Sequence, residues 1–450
     1  MTKLFGTDGI RGMANQYPIT PETALNVGRA LTGVFNTENS KLKIVIGKDT
    51  RISGDMLESA LIAGICSMGA DVYRVGVLPT PGIAFMTRDL KTDAGIVISA
   101  SHNPYHDNGI KIFKGDGFKL TDKEEVFLES IILKNDLSSE AAGIKKTGRV
   151  IDAKDADLRY TEFVRKRFQE DFSLNGMKLV IDCAEGATYR VAPNLFSELG
   201  AEVESLFISP DGVNINDRCG SQHLETLSKR VVETGAAAGL AFDGDGDRVV
   251  AVDEQGRAVT GDQILAICGK YMLGTGDLKN KKLVSTVMSN FGLGIALKKM
   301  GIEHIITDVG DRYVLQEMIS AGAVLGGEDS GHLIFLDDHT TGDGLLAALK
   351  LIQAMIKDGR PLSRMRRIMQ VYPQILLNVE VNEKPDLGTV SEISESIEAV
   401  EAHLNGQGRV LVRYSGTQPL CRVMVEGPDY ESTEAFCLQI TETIRKIIGK

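Results

Sequence analysis

Three stretches of this chain repeat one pattern: an apolar strand, a glycine-marked turn, a helix that ends in a hydrophobe-glycine pair, and a second apolar strand. The first copy takes residues 42–47, 53–68, Gly69 and 72–77. The second takes 179–182, a helix through Leu199, Gly200 and 203–208; the third takes 283–288, a helix from Gly292 through Met300, Gly301 and 304–308. A glycine after each helix accepts the left-handed conformation that stops it. A strand reached through a helix lies parallel to the strand before it. The spacing therefore predicts three similar α/β domains. Polar segments near Asp155, Gln255 and Gln370 mark the breaks, dividing the chain into residues 1–155, 156–255, 256–370 and 371–450. From Val371 the pattern changes to strand, helix (390–404), strand (409–414), loop, strand (420–426) and an amphipathic helix to Ile447, which reads as a small α+β domain.

Composition narrows the function. A net charge of −11 over 450 residues argues against a nucleic-acid binder, so an anionic ligand would need basic residues gathered locally. No apolar run approaches the ~20 residues that span a bilayer. Residues 1–5 lack the apolar core of a signal peptide, so no membrane partner and a cytoplasmic location are expected. The six cysteines are scattered, without metal-ligand or redox spacing, and are expected to be free thiols.

The densest chemistry lies in Asp243-Gly244-Asp245-Gly246-Asp247-Arg248. Three carboxylates this close repel one another unless a divalent ion holds them, and hard oxygen ligands suit Mg²⁺ or Ca²⁺. Glu254 falls at the twelfth position from Asp243, as in an EF-hand loop, but position six is Arg248 where that loop needs glycine. Strand-like flanks at 239–242 and 249–252 also exclude it. An arginine beside the carboxylates suits a site that receives an anion such as phosphate.

Other loops carry candidate groups. The buried strand 95–98 runs into Ser99-Ala100-Ser101-His102-Asn103-Pro104, and ligands of open α/β sheets bind where strands end. Ser101 stands where a nucleophile would, in a loop that otherwise reads as a serine-rich turn. It lacks the flanking glycines of a serine-hydrolase elbow. His102, its neighbour in sequence, is expected to point elsewhere and contact ligand. A phosphate-carrying serine beside a magnesium site is the better reading. Lys111, after the turn Asn108-Gly109, is a candidate acid or base, although alone it reads as a solvated strand-end charge. The loop from Gly326 to His332 offers Glu328, Asp329, Ser330 and His332 to sugar hydroxyls. Arg413, Ser415, Gly416, Thr417 and Arg422 have the composition of a phosphate cradle, against the plainer reading of a tight hairpin with incidental arginines.

Together these loops resemble the α-D-phosphohexomutase superfamily, and within it the phosphoglucosamine mutase branch. The resemblance spans the chain: Phe5-Gly6-Thr7-Asp8-Gly9-Ile10-Arg11-Gly12, the Ser101 loop with Asp107-Asn108-Gly109-Ile110-Lys111, the triple-aspartate loop, Cys219-Gly220-Ser221, Gly310-Asp311-Arg312-Tyr313, Gly327-Glu328-Asp329-Ser330-Gly331-His332, Thr341-Gly342-Asp343-Gly344 and Ser415-Gly416-Thr417. It implies an α/β fold, with three α/β domains of mixed sheets and a C-terminal α+β domain around a central cleft. It implies a phosphoserine at Ser101 and one Mg²⁺ held by Asp243, Asp245, Asp247 and the serine phosphate. Arg248, Arg11 and Lys111 would line the reacting phosphate, and Glu328, Ser330 and His332 would hold the sugar. Arg413, Ser415, Gly416, Thr417 and Arg422 would grip the other phosphate. The implied activity interconverts glucosamine 6-phosphate and glucosamine 1-phosphate through a sugar bisphosphate, in a homodimer, feeding UDP-N-acetylglucosamine synthesis. That branch usually carries Gln, Thr and Glu where this chain has Asp329, Gln222 and Gln418, which bears on sugar identity. A phosphomannomutase or phosphoglucomutase is the alternative on the same scaffold, and a metal-dependent sugar phosphatase or a non-catalytic sensor lies further off.

Overall fold

The structure, a computed structural model, describes residues 4–6, 8–35, 41–133, 142–168, 172–415 and 419–450. The strands among them form four sheets. They fall into two compact units, one of residues 1–287 with 302–367 and one of 288–301 with 368–450.

The first sheet of the larger unit contains β1 (Ile10–Met13), β2 (Lys43–Lys48), β3 (Asp71–Val77), β4 (Ala94–Ile98), β5 (Asp107–Lys114) and β6 (Val150–Asp152), in the order β1-β5-β4-β2-β3-β6. β4, β2, β3 and β6 run parallel, and β5 turns back antiparallel to β4. Its isoleucines explain why the sheet forms. Ile44, Ile46, Ile96 and Ile98 are all fully buried in one cluster with Leu57, Leu61 and Ile65 of the helix Gly54–Ser67. Each such side chain contributes about 1.5–3 kcal/mol by leaving water.

The second sheet contains β7 (Lys178–Asp182), β8 (Glu202–Leu206), β9 (Ala238–Phe242), β10 (Val249–Asp253) and β11 (Ala258–Val259), in the order β11-β10-β9-β7-β8. The third contains β12 (Lys282–Thr286), β13 (Glu303–Thr307), β14 (Leu325–Gly327) and β15 (Leu333–Phe335), in the order β13-β12-β14-β15. One plan recurs in all three. The repeat found in the sequence supplies a parallel pair (β2/β3, β7/β8, β12/β13), and the expected glycines follow the helices at φ +96° (Gly69), +97° (Gly200) and +72° (Gly301). A third parallel strand then pairs with the other side of the first, and an antiparallel strand returns from it: β4/β5, β9/β10 and β14/β15. Each return loop is one of the chemical loops, the Ser101 loop, the aspartate loop and the Glu328–His332 loop respectively.

The smaller unit has β16 (Gln374–Glu380), β17 (Arg409–Tyr414) and β18 (Leu420–Glu426) in an antiparallel sheet with β18 central. The helices Ser391–Leu404 and Tyr430–Ile448 bury Ile393, Val400, Cys437, Ile440 and Ile444 in its core. This matches the α+β reading of the tail. The smaller unit also includes the helix Phe291–Met300 of the third repeat. All six cysteines are free. Among the described residues no helix is long and apolar enough to cross a membrane.

A buried carboxylate braces the larger unit. Asp343 Oδ1 accepts from the N–H of Leu346 at 3.0 Å, capping the helix Gly344–Asp358, and from the hydroxyl of the buried Tyr160 at 2.9 Å. Burial pushes its pKa up to about 6, more than these two donors can offset. A folded-state value above the ordinary 3.8 means that stability present below pH 4 is lost as pH rises through 6. In Asp343→Asn the amide oxygen keeps both donors, and no charge is buried. Urea denaturation is expected to find this variant close to wild type at pH 4 and more stable by roughly 3 kcal/mol at pH 7. A difference that does not change between the two pH values contradicts the assignment.

Candidate active site

The aspartate loop joins β9 to β10 and is fully enclosed, with Asp243, Asp245 and Asp247 at 0%, 1% and 3% exposure. One oxygen from each lies within 4.8 Å of the others. Glycine is needed between them: Gly246 has φ +70°, and a Cβ on Gly244 would sit 2.6 Å from the Ser101 carbonyl oxygen. The backbone is tied down by Thr80, whose N–H donates to the Asp245 carbonyl (2.8 Å) and whose hydroxyl donates to Asp245 Oδ2 (2.7 Å). Burial, with Asp247 and Asp245 alongside, drives Asp243 well above the usual carboxylate range. Burial would raise Asp247 too, but Lys111, His332 and Arg248 outweigh it and hold that group well below the range. Oδ1 of Asp245 and Oδ1 of Asp247 are buried without a hydrogen-bond partner. Converging hard oxygens with unused lone pairs fit a divalent cation.

Ser101 follows β4 and reaches this loop. Its hydroxyl donates to Asp243 Oδ2 at 2.6 Å. The residue has φ +54°, a left-handed conformation that a serine rarely takes and that its surroundings must enforce. Arg51 and Asn216 enforce it: the Arg51 guanidinium and the Asn216 amide each donate to the Ser101 carbonyl at 2.9 Å and also to the Asn103 carbonyl. Arg51 is itself held by Asp49 (2.9 Å), which accepts from Ser99 (2.5 Å). His102 does not point away as expected. Its Nδ1 lies 3.4 Å from the Ser101 hydroxyl. Burial beside Arg248 and Arg11 lowers its pKa to about 4, so the ring is neutral.

Lys111 also departs from its plainer reading. It lies in the middle of β5, 1% exposed, with Nζ 2.8 Å from Asp245, 3.0 Å from Asp8 and 3.6 Å from Asp247. Burial alone would lower its pKa, but Asp245 and Asp8 outweigh that and raise it. Arg248 lies 3.9 Å from Asp243 and 3.7 Å from Asp247 through Nε, which has no hydrogen-bond partner. Arg11, on β1, is paired with Asp8. His332 bridges to Arg248 through the backbone and places Nδ1 3.6 Å from Asp247, which helps raise its pKa against burial.

Glu328 and Ser330 stand in the loop between β14 and β15. Glu328 accepts from the Gly310 N–H at 3.2 Å, and Ser330 is exposed. A cavity of about 300 Å³ is lined by Ser330, Asp329, Arg248, Ser221, Gln222 and Thr260. Two of the residues noted as unusual, Gln222 and Asp329, therefore share one cavity with Arg248. In the smaller unit Arg413 and Arg422 face each other across β17 and β18, and the buried Ser415 accepts from Lys384 at 2.6 Å. Gly416, Thr417 and Gln418 lie outside the described residues.

Arg51, Asn216 and Thr80 were not found in the sequence. They act through backbone carbonyls and a distant carboxylate, which leave no motif. The one available signal was position, since Arg51 and Thr80 lie just beyond the ends of β2 and β3, where open α/β sheets place functional groups.

Comparison with known proteins bears on this arrangement. The phosphoglucomutase/phosphomannomutase family models match throughout: alpha/beta/alpha domain I at residues 2–139, domain II at 159–256, domain III at 260–372 and the C-terminal domain at 376–443. The phosphoglucosamine mutase of Syntrophobacter fumaroxidans is 57% identical over 449 residues, and that of Syntrophus aciditrophicus 55%, each match covering 100% of both chains. Among solved structures, a phosphoglucomutase/phosphomannomutase family protein of Burkholderia thailandensis shares the fold with a TM-score of 0.81 at 23% identity, over 99% of this chain and 97% of that one. An Aspergillus fumigatus N-acetylphosphoglucosamine mutase, solved with GlcNAc-6P and magnesium, does so with a TM-score of 0.69 at 16% identity, over 98% and 95%. The chain belongs to the phosphoglucomutase/phosphomannomutase family, on its phosphoglucosamine mutase branch.

Proposed function

We propose that this protein interconverts glucosamine 6-phosphate and glucosamine 1-phosphate, with Ser101 carrying the phosphoryl group that is exchanged. The observation that carries this reading is the Ser101 hydroxyl 2.6 Å from one of three converging buried aspartates, with Lys111 on two of the same three. Full-length identity to phosphoglucosamine mutases supports the substrate.

Asp243, Asp245 and Asp247, with an oxygen of the serine phosphate, would hold one Mg²⁺. When bound it neutralises charge on the phosphoryl group in transfer. The chain's own cations act on the same group: Lys111 and Arg248 reach the aspartates, and Arg11 stands behind them at Asp8. The bond from phosphorus to Ser101 Oγ breaks as a sugar hydroxyl oxygen bonds to phosphorus. The sugar hydroxyl loses its proton and Oγ regains one, with Lys111 and His332 as the candidate proton-exchanging groups. The resulting sugar bisphosphate turns end over end, and the reverse transfer returns a phosphate to Ser101. Glu328, Ser330 and His332 are assigned to the sugar hydroxyls, with His102 beside the transferred group. Arg413, Ser415 and Arg422, with Gly416 and Thr417, are assigned to the phosphate that is not reacting. Arginines and backbone amides suit this task because they recognise phosphate whichever carbon bears it.

The shared cavity of Gln222 and Asp329 makes sugar preference the part to test first. Assayed on glucosamine, glucose and mannose 1-phosphates, the enzyme is expected to favour the first by at least about tenfold in kcat/KM, a difference worth about 1.4 kcal/mol. Preference for glucose or mannose 1-phosphate points to the sister activities, and net release of inorganic phosphate to a phosphatase. In calorimetric titration, Asp245→Asn is expected to weaken Mg²⁺ binding by at least about tenfold. Unchanged affinity removes this loop as the metal site.

A further inference from the structure

Beyond the aspartate loop, the charges continue through residues to which no role has yet been given. Lys119 follows the tight turn after β5, where Lys114 and Phe118 pair through their backbones (2.8 Å) and Lys119 bridges back to Phe113. Its ammonium lies 2.5 Å from Asp8 Oδ1 and 2.5 Å from Asp311 Oδ2, with all three side chains at least four-fifths buried: 12%, 17% and 16% exposed. The other oxygen of Asp8 is 3.0 Å from Lys111, and Asp311 Oδ2 is 3.9 Å from His332 Nε2. Lys111 and His332 in turn both face Asp247 at 3.6 Å. The charges thus close a ring: Asp247, Lys111, Asp8, Lys119, Asp311, His332 and back to Asp247, alternating in sign at every step.

The ring gathers side chains from the amino-terminal segment, β5, the turn after it, the start of the helix Asp311–Ala321, the loop before β15 and the aspartate loop. Asp8 and Asp311 would repel each other across this buried space without Lys119 between them. Burial alone would lower the pKa of Lys119, but Asp311 and Asp8 outweigh it and keep the ammonium charged. Each carboxylate uses Lys119 on one side and a residue of the reacting cluster on the other. A shift of Asp8 moves the partner of Lys111, and a shift of Asp311 moves the partner of His332.

We propose that Lys119 is a positioning residue for the reaction: by holding Asp8 and Asp311 together it sets where Lys111 and His332 stand against the aspartate loop. This rests on the mutase reading above. Misplacement of reacting groups by about 1 Å lowers rate by up to roughly a hundredfold. Lys119→Met keeps the aliphatic stem and removes the charge. Its kcat is expected to fall roughly tenfold to a hundredfold, with KM within about threefold of wild type. The double variant Lys119→Met/Asp311→Asn should lose less than the sum of the two single changes, because both break the shared Lys119–Asp311 link. A merely structural brace would lower the melting temperature and leave kcat per folded enzyme unchanged. Folded Lys119→Met at wild-type kcat, or a loss confined to KM, therefore overturns the proposal. If Lys119→Met does not fold, Lys119→Gln is the test, since its amide still donates a hydrogen bond in this buried space while the charge that holds Asp8 to Asp311 is gone. A kcat loss of about tenfold supports the proposal, and wild-type kcat overturns it. Failure of the mutase reading is distinct, because it would silence the wild-type enzyme assayed alongside.

Discussion

Everything at this site follows from placing three carboxylates, almost wholly removed from water, within 4.8 Å of one another. Such a triad is tolerable only where positive charge is supplied from several sides. Lys111 supplies it from β5, Arg248 from the end of the loop itself, and His332 from the loop before β15. Two aspartate oxygens stay without hydrogen-bond partners, as the ligand atoms of a divalent-cation site would. The lone pairs left over on these oxygens are what a divalent ion would take up.

The fold makes this convergence ordinary. Each of the first three sheets is a parallel pair joined through a helix, a third parallel strand, and an antiparallel return. The loop of each return carries one component of the site: Ser101, the aspartates, or Glu328 and His332. Three equivalent positions on three related sheets thus carry the groups proposed above as nucleophile, metal ligands and sugar contacts. The β-strand bridge between Arg248 and His332 joins the second and third of these loops directly, as the hydrogen bond from Ser101 to Asp243 joins the first and second.

Much of this was legible in the sequence because it is local. The parallel pairs follow from hydrophobic runs and terminal glycines, and the aspartate triplet is contiguous. What could not be read is non-local. Lys111 looked like a solvated strand-end charge because its ion-pair partner Asp245 lies 134 residues away. His102 is expected from its place in sequence to turn from Ser101, yet its ring comes within 3.4 Å of the hydroxyl. Gln222 and Asp329 stood out singly; only folding shows that they line the same cavity.

In the proposed reaction Ser101 carries the phosphate that the sugar receives. This step is tested most directly by loading the enzyme with radioactive phosphate and mixing it, in one turnover, with unlabelled glucosamine 1-phosphate. The account predicts that the label moves into the sugar bisphosphate and then into the 6-position of glucosamine 6-phosphate, and that Ser101→Ala neither takes up label nor turns over. Label leaving as inorganic phosphate, or full turnover by Ser101→Ala, would contradict it.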